Sequence, residues 1–226
     1  MIVSVGTSGV VCAVAADPVH DDAGLVAGFA DGTGRYLPLV CTLNGARVLD
    51  AAAAMLRVDH DGLSRLALSA PPGSDGLVMV PYLAGERTPN RPNATGALHG
   101  LRVSNATPEN LARAAIEGLL CALADGLAHL SAHGVTPRRI LLIGGGARSR
   151  ALREIAPTVF AMPVHTPAPA EYVALGAARQ AAWALSGSPR PPAWKPPPTD
   201  EHAAGAAPAV FKHYARVRDL TEGNPR

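Results

Sequence analysis

The chain has 226 residues, enough for one large domain or a domain with a tail. It is 48% hydrophobic but only 4% aromatic, which favours small-residue helices packed closely on a sheet over a large aromatic core. The net charge of +2 is spread without runs, which argues against nucleic acid or an anionic membrane as a partner.

From the N-terminus, Ile2-Val3-Ser4-Val5 and the stretch 10–14 read as a hairpin around Gly6-Thr7-Ser8-Gly9. That turn is either a plain hairpin connection or a place where hydroxyls and N–H groups meet an anion; the residues leave both open. Residues 1–16 are apolar and end in Ala-Val-Ala-Ala, but no Lys or Arg precedes Arg35 and the glycine turn interrupts the run, so a signal peptide is rejected. No apolar stretch reaches the roughly 18 residues of a membrane span. Cys12, Cys41 and Cys121 are odd in number and lack a CxxC pair, so they read as reduced thiols in a cytoplasmic protein.

A polar loop over 17–24 carries Asp17, Asp21 and Asp22, and two strands, 25–29 and 35–41, flank Asp31-Gly32-Thr33-Gly34. Asn44-Gly45 opens an alanine-rich helix over 46–56, a short helix covers 61–70, and a strand over 77–80 leads into Pro81-Tyr82-Leu83-Ala84-Gly85-Glu86-Arg87-Thr88-Pro89. A short strand spans 96–101. Thr107 as N-cap, Pro108 at the first helical position and Glu109 in the first turn start a long helix, whose leucines and alanines keep helical spacing to about Ala132.

Arg139 to Ile143 is a buried-strand run followed by Gly144-Gly145-Gly146-Ala147-Arg148-Ser149, and a helix begins near Ala151. Strand, glycine turn, helix is a geometry suited to a nucleotide. It lacks the dinucleotide fingerprint, because Ser149 stands where a third glycine belongs, and no GxxxxGK[ST] loop occurs in the chain. A helix over 173–185, a stiff proline-rich segment over 186–200 and a last helix over 209–220 complete the chain. Strands first, then helices alternating with strands, argue for an α/β domain with a mixed sheet.

Together these segments resemble the C-terminal domain of the FGGY family of carbohydrate kinases, most closely its xylulokinase members. The most specific part is Gly96-x-Leu98-x-Gly100-Leu101, eight residues, then Asn110-Leu111-x-x-Ala114-Ala115-Ile116-Glu117. Residues 81–89 are similar to the xylulokinase Pro-Tyr-Leu-x-Gly-Glu-Arg-Thr-Pro segment. Gly6-Thr7-Ser8 resembles the family's phosphate turn, and Gly144, Gly145, Gly146, Ala147 and Arg148 its adenosine turn.

The resemblance implies an actin-like ATPase, ribonuclease-H-like domain: a mixed sheet flanked by helices, forming the ATP-holding half of a two-domain sugar kinase. It also implies transfer of the γ-phosphoryl group of ATP, with Mg2+, to a sugar hydroxyl, with D-xylulose the leading pentulose. It divides the chain into residues 1–186 as the nucleotide domain, 187–200 as the proline-rich segment, and 201–226 as a C-terminal helix and tail.

The family's sugar domain and catalytic aspartate precede the strand at which Met1 stands, so the expectation is a chain with no catalytic residue, inactive alone. Asp17, Asp21 and Asp22 read as a solvated loop, not as substitutes. A homodimer, or a partner chain supplying the sugar domain, is expected to cover apolar surface. A non-catalytic nucleotide-binding module and a degenerate fragment are the other readings.

Five further expectations concern individual residues or pairs. Glu86 and Arg87 read as an ion pair holding the loop or as cleft residues, and Glu117 as a structural or cleft-side acid. His129 and His133 are four apart but lack a third ligand, so they read as solvated. Pro157 is expected to shorten or kink its helix, and Arg148 lies over nucleotide or caps its turn.

Overall fold

In this computed structural model, residues 1–203 and 205–220 are described. Strands β1 (Ile2–Val5) and β2 (Gly9–Cys12) form the expected antiparallel hairpin, with Val3, Val5 and Val11 fully buried on one face. β4 (Tyr36–Thr42) pairs with β2, and β3 (Ala27–Ala30) with β4.

On the other side of β1 lies β7 (Ile140–Ile143), parallel to it, with Ser4 opposite Ile143. β8 (Val164–Pro167) continues parallel to β7, and β9 (Thr199–His202) closes the sheet antiparallel to β8. The sheet is therefore mixed and seven-stranded, in the order β3-β4-β2-β1-β7-β8-β9. A separate pair, β5 (Val78–Val80) and β6 (Ala97–His99), packs against the long helix.

That helix, α3 (Pro108–Ala132), starts as the sequence predicts: the Thr107 hydroxyl accepts the Asn110 N–H, and Pro108 and Glu109 occupy the first turn. It lies between β2 and β4 of the sheet and the helices α1 (Arg47–Leu56), α2 (His60–Ser69) and α4 (Arg150–Phe160). α4 runs three residues past Pro157 before Ala161 ends it in the left-handed region, so the proline does not cut it short. Every residue from Ile155 to Phe160 is buried, and this packing outweighs the lost backbone hydrogen bond.

Two strands escaped the sequence reading. β8 holds one apolar β-branched residue and ends in Pro167, and β9 is Thr-Asp-Glu-His at the rim of the sheet. β9 is a polar, charged edge strand with no hydrophobic alternation to read, and β8, although internal, is too short and too poor in apolar residues to show one. α5 (Tyr172–Ser186) is formed as expected, yet none of its residues is buried. α6 (Pro208–Leu220) buries Val210, Tyr214 and Val217, and its Arg218 pairs with Asp125 of α3. The tail expected after it, 221–226, lies outside the described residues.

Glu117 is structural. Its carboxylate pairs with Arg113 at 2.7 Å and accepts the Gly73 N–H at 3.1 Å, while Arg113 also donates to the Ala70 carbonyl at 3.2 Å. These bonds tie α3 to the end of α2. Arg113 and Glu117 are 6% and 4% exposed, so removing one strands the other as a buried charge. Arg113→Met should cost about 3 kcal/mol in urea unfolding, and Arg113→Met with Glu117→Met should regain most of it.

Candidate nucleotide site

Because β1 and β7 are parallel neighbours, the turns that follow them leave the sheet at the same end. After β7, Gly144 turns with φ +93°, and Gly145–Arg148 form a single 3-10 turn. A Cβ on Gly144 would stand 2.6 Å from the Val5 carbonyl oxygen at the end of β1, so only glycine lets the second turn lie against the first. Gly6, Thr7 and Ser8 are thus brought beside Gly144, Gly145, Gly146 and Ala147.

Both turns present unused backbone donors. The first two N–H groups of the 3-10 turn, on Gly145 and Gly146, have no partner within it. In the hairpin turn the carbonyls face inward: Gly6 O accepts from the Ala46 N–H at 2.7 Å and Thr7 O from the Gly45 N–H at 3.1 Å. The N–H groups and hydroxyls of Thr7 and Ser8 have no hydrogen-bond partner among the described residues.

A cleft of about 370 Å3 opens on Gly145 and Gly146 and is walled by Ala46, Leu49 and Asp50 of the first helix region, His60 of the second, and Ser149. Asp50 and His60 pair across it at 3.2 Å. Ser149, which stands where a dinucleotide loop has glycine, caps α4 by accepting the Leu152 N–H, and its hydroxyl meets that of Ser64 at 3.1 Å.

A second cleft, about 480 Å3, lies on the other side of α4's start, against Arg153, Thr166, Tyr172 and Asp200. It is lined by the ends of β7 and β8 and also touches Gly144, Gly145, Ala147 and Arg148 of the glycine turn. The smaller cleft is the one of the two lined by Ala46, whose N–H holds the hairpin turn, so it is the one that lies next to that turn.

Arg148 is exposed on the rim of both clefts, and its side chain makes no hydrogen bond among the described residues. The turn is held by Arg153, which donates to the carbonyls of Ala147 and Arg148 at 2.9 Å each. Glu86 is neither in an ion pair with Arg87 nor open to a cleft. It is 1% exposed and accepts the N–H groups of Leu43 (2.6 Å) and Arg87 (2.7 Å) and the Asn44 amide (2.9 Å).

The other acids and histidines stand elsewhere. The Val26 N–H, helped by those of Ala23 and Leu25, holds the Asp21 carboxyl below the usual carboxylate range, and Asp21 also faces His133 at 3.6 Å. The other ring nitrogen of His133 meets the His129 carbonyl at 2.9 Å, so that pair caps a helix end. No cluster of three metal-ligating side chains occurs among the described residues, and no described helix is long and apolar enough to cross a membrane.

Residues 1–185 match the model of the FGGY family of carbohydrate kinases, C-terminal domain. The chain belongs to that family. It is 42% identical over 187 residues to the xylulose kinase of Streptomyces rubiginosus, covering 82% of this chain and 37% of that protein. It is 33% identical over 189 residues to the gluconokinase of Bacillus subtilis, covering 77% of this chain and 37% of that protein.

The crystal structure of the xylulose kinase from Bifidobacterium adolescentis superposes with a TM-score of 0.87 at 52% identity, over 96% of this chain and 43% of that one. The fold is thus the actin-like ATPase fold of the FGGY sugar kinases. The chain spans about two fifths of the length of these relatives.

Sequence reasoning named both turns but missed what holds them. Asn44-Gly45 was legible only as a helix opening, although a glycine directly after a strand is also the signal for a close backbone approach. A Cβ on Gly45 would stand 2.4 Å from the Gly6 carbonyl oxygen. Gly45→Ala should therefore lower the unfolding free energy by about 1–3 kcal/mol. It should also speed amide exchange at Ala46 while leaving the middle of α3 unchanged, as hydrogen-exchange mass spectrometry would read.

Proposed function

We propose that this FGGY domain holds ATP, with the base in the cleft beside Gly145 and Gly146 and the phosphates on Thr7 and Ser8. The observation that carries this is the pairing of two turns, each with unpaired donors, at adjacent ends of parallel strands. Unpaired N–H groups and hydroxyls stabilise phosphate oxygens without a counter-charge from a lysine. Gly145 and Gly146, without side chains, leave room for a flat base and ribose, the buried Ala147 packs behind them, and Arg148 on the rim supplies a cation beside them.

Mg2+ would arrive on the nucleotide's phosphates, since it needs only one or two protein oxygens and keeps its waters. The reaction of the whole protein is then phosphoryl transfer from Mg·ATP to a sugar hydroxyl. The family match and the identity to xylulose kinases favour D-xylulose, giving D-xylulose 5-phosphate, over gluconate.

This domain's contribution is positioning and charge neutralisation. The sequence offered no convincing base, and three of the acids it weighed for any role are engaged: Asp21 by three backbone N–H groups, Glu86 by three donors, Glu117 by Arg113. We therefore assign the proton-accepting base and the sugar pocket to another half of the protein.

α5 is the surface for that half, because Val173 and Leu185 are 86% and 91% exposed on a helix with no buried residue. Residues 1–186 form the nucleotide-holding unit. Residues 187–200 link it to the C-terminal helix and lend their last two residues to β9. A cytoplasmic setting fits three thiols with no disulfide among them.

Titration calorimetry of the 226-residue chain with Mg·ATP should give a dissociation constant between about 1 µM and 1 mM. Adding D-xylulose should release no ADP above background. Absence of ATP binding would contradict the nucleotide reading, and turnover would contradict the assignment of the base elsewhere.

A further inference from the structure

We propose that Glu86 is a positioning residue for the phosphate turn, acting through the segment 41–46 without touching nucleotide; this rests on the nucleotide reading above. A carboxylate almost fully removed from water is stable only when its oxygens accept several hydrogen bonds. Glu86 accepts three, all at 2.9 Å or less, and two come from Leu43 and Asn44, more than forty residues away in the chain.

Around it the same loop makes two more ties to that segment. The Asn44 amide also donates to the Gly85 carbonyl at 2.7 Å, and the Thr88 hydroxyl donates to the Cys41 carbonyl at 2.9 Å. Gly85, Glu86 and Thr88 therefore fix one side of the segment 41–44.

The other side of that segment fixes the turn. The Gly9 N–H donates to the Thr42 hydroxyl at 3.1 Å, at the turn's far end. Gly45 and Ala46 hold Thr7 O and Gly6 O at its near end. The path from Glu86 to Thr7 is thus two hydrogen bonds joined by two covalently linked residues, Asn44 and Gly45. The tie from Glu86 to Asn44 is buried and so is Gly45, and neither Asn44 nor Gly45 lines the cleft where the base is placed; Ala46, next in the chain, does. Glu86 governs where the Thr7 and Ser8 donors stand, and the segment it holds meets the base cleft only at its last residue, Ala46.

Glutamine in place of Glu86 keeps the size but turns one acceptor into a donor. Its amide would face the Asn44 amide, whose two hydrogens are already directed at acceptors. The readout is the split between a ligand with phosphates and one without.

In calorimetry of the full chain, Glu86→Gln should weaken Mg·ADP binding about tenfold or more while leaving adenosine within about twofold. Thr88→Val removes a neutral tie on the same segment and should weaken ADP about threefold, with adenosine again unchanged. It supplies the test if Glu86→Gln does not fold. Equal losses for both ligands would reduce Glu86 to a stabilising role, and no loss for either would also overturn the proposal. An unsubstituted chain that binds neither ligand would remove the nucleotide reading itself, before any variant is made.

Discussion

Everything at the candidate site depends on two strands running side by side in the same direction. β1 and β7 are remote in sequence, yet Ser4 stands opposite Ile143, so the chain leaves both strands at one level. The contact of Gly144 with the Val5 carbonyl then fixes how close the two turns come. A side chain at residue 144 would push the second turn outward, and the donors on Gly145 and Gly146 would no longer converge with those on Thr7 and Ser8. The parallel pairing is itself a consequence of the α3 crossover, which returns the chain across the buried face of the sheet.

Around that contact, several buried or half-buried polar side chains hold backbone in place. Glu86, Asn44 and Thr42 stitch loops together at the hairpin turn, Arg113 and Glu117 join α3 to the end of α2, and Arg153 braces the glycine turn through two carbonyls. Each satisfies groups that could not be left bare in the interior. The result is a rigid frame with its free donors facing outward on two short turns. That arrangement suits catalysis by positioning, in which the energetic contribution comes from fixed dipoles and not from a reacting side chain. α5, on the other hand, has no buried residue, and its Val173 and Leu185 stand almost fully exposed.

Much of this was legible in the residues. Thr107-Pro108-Glu109 marked the start of α3, the leucine spacing marked its length, and the apolar run before Gly144 marked β7. These signals are local, so they survive without knowledge of the fold. Both turns were named for the same reason: glycines beside hydroxyl residues are conspicuous. What was not legible depended on distant partners. Glu86 looked like half of an ion pair with Arg87, because neighbouring opposite charges suggest one. Its real partners, at Leu43 and Asn44, are set by tertiary structure alone. β9 was invisible because its charged residues sit at an edge, where pairing needs no apolar face. Pro157 was expected to shorten or kink its helix, but the burial of Ile155 to Phe160 carries the helix three residues past it.

The most direct test is to map where nucleotide lands. Backbone amide resonances of the 15N-labelled chain, recorded with and without Mg·ADP, report each site separately. The account predicts shifts concentrated at Gly6, Thr7, Ser8, Ala46, Gly145 and Gly146. Shifts gathered instead around Arg153, Thr166 and Tyr172, with residues 6–8 unmoved, would contradict it.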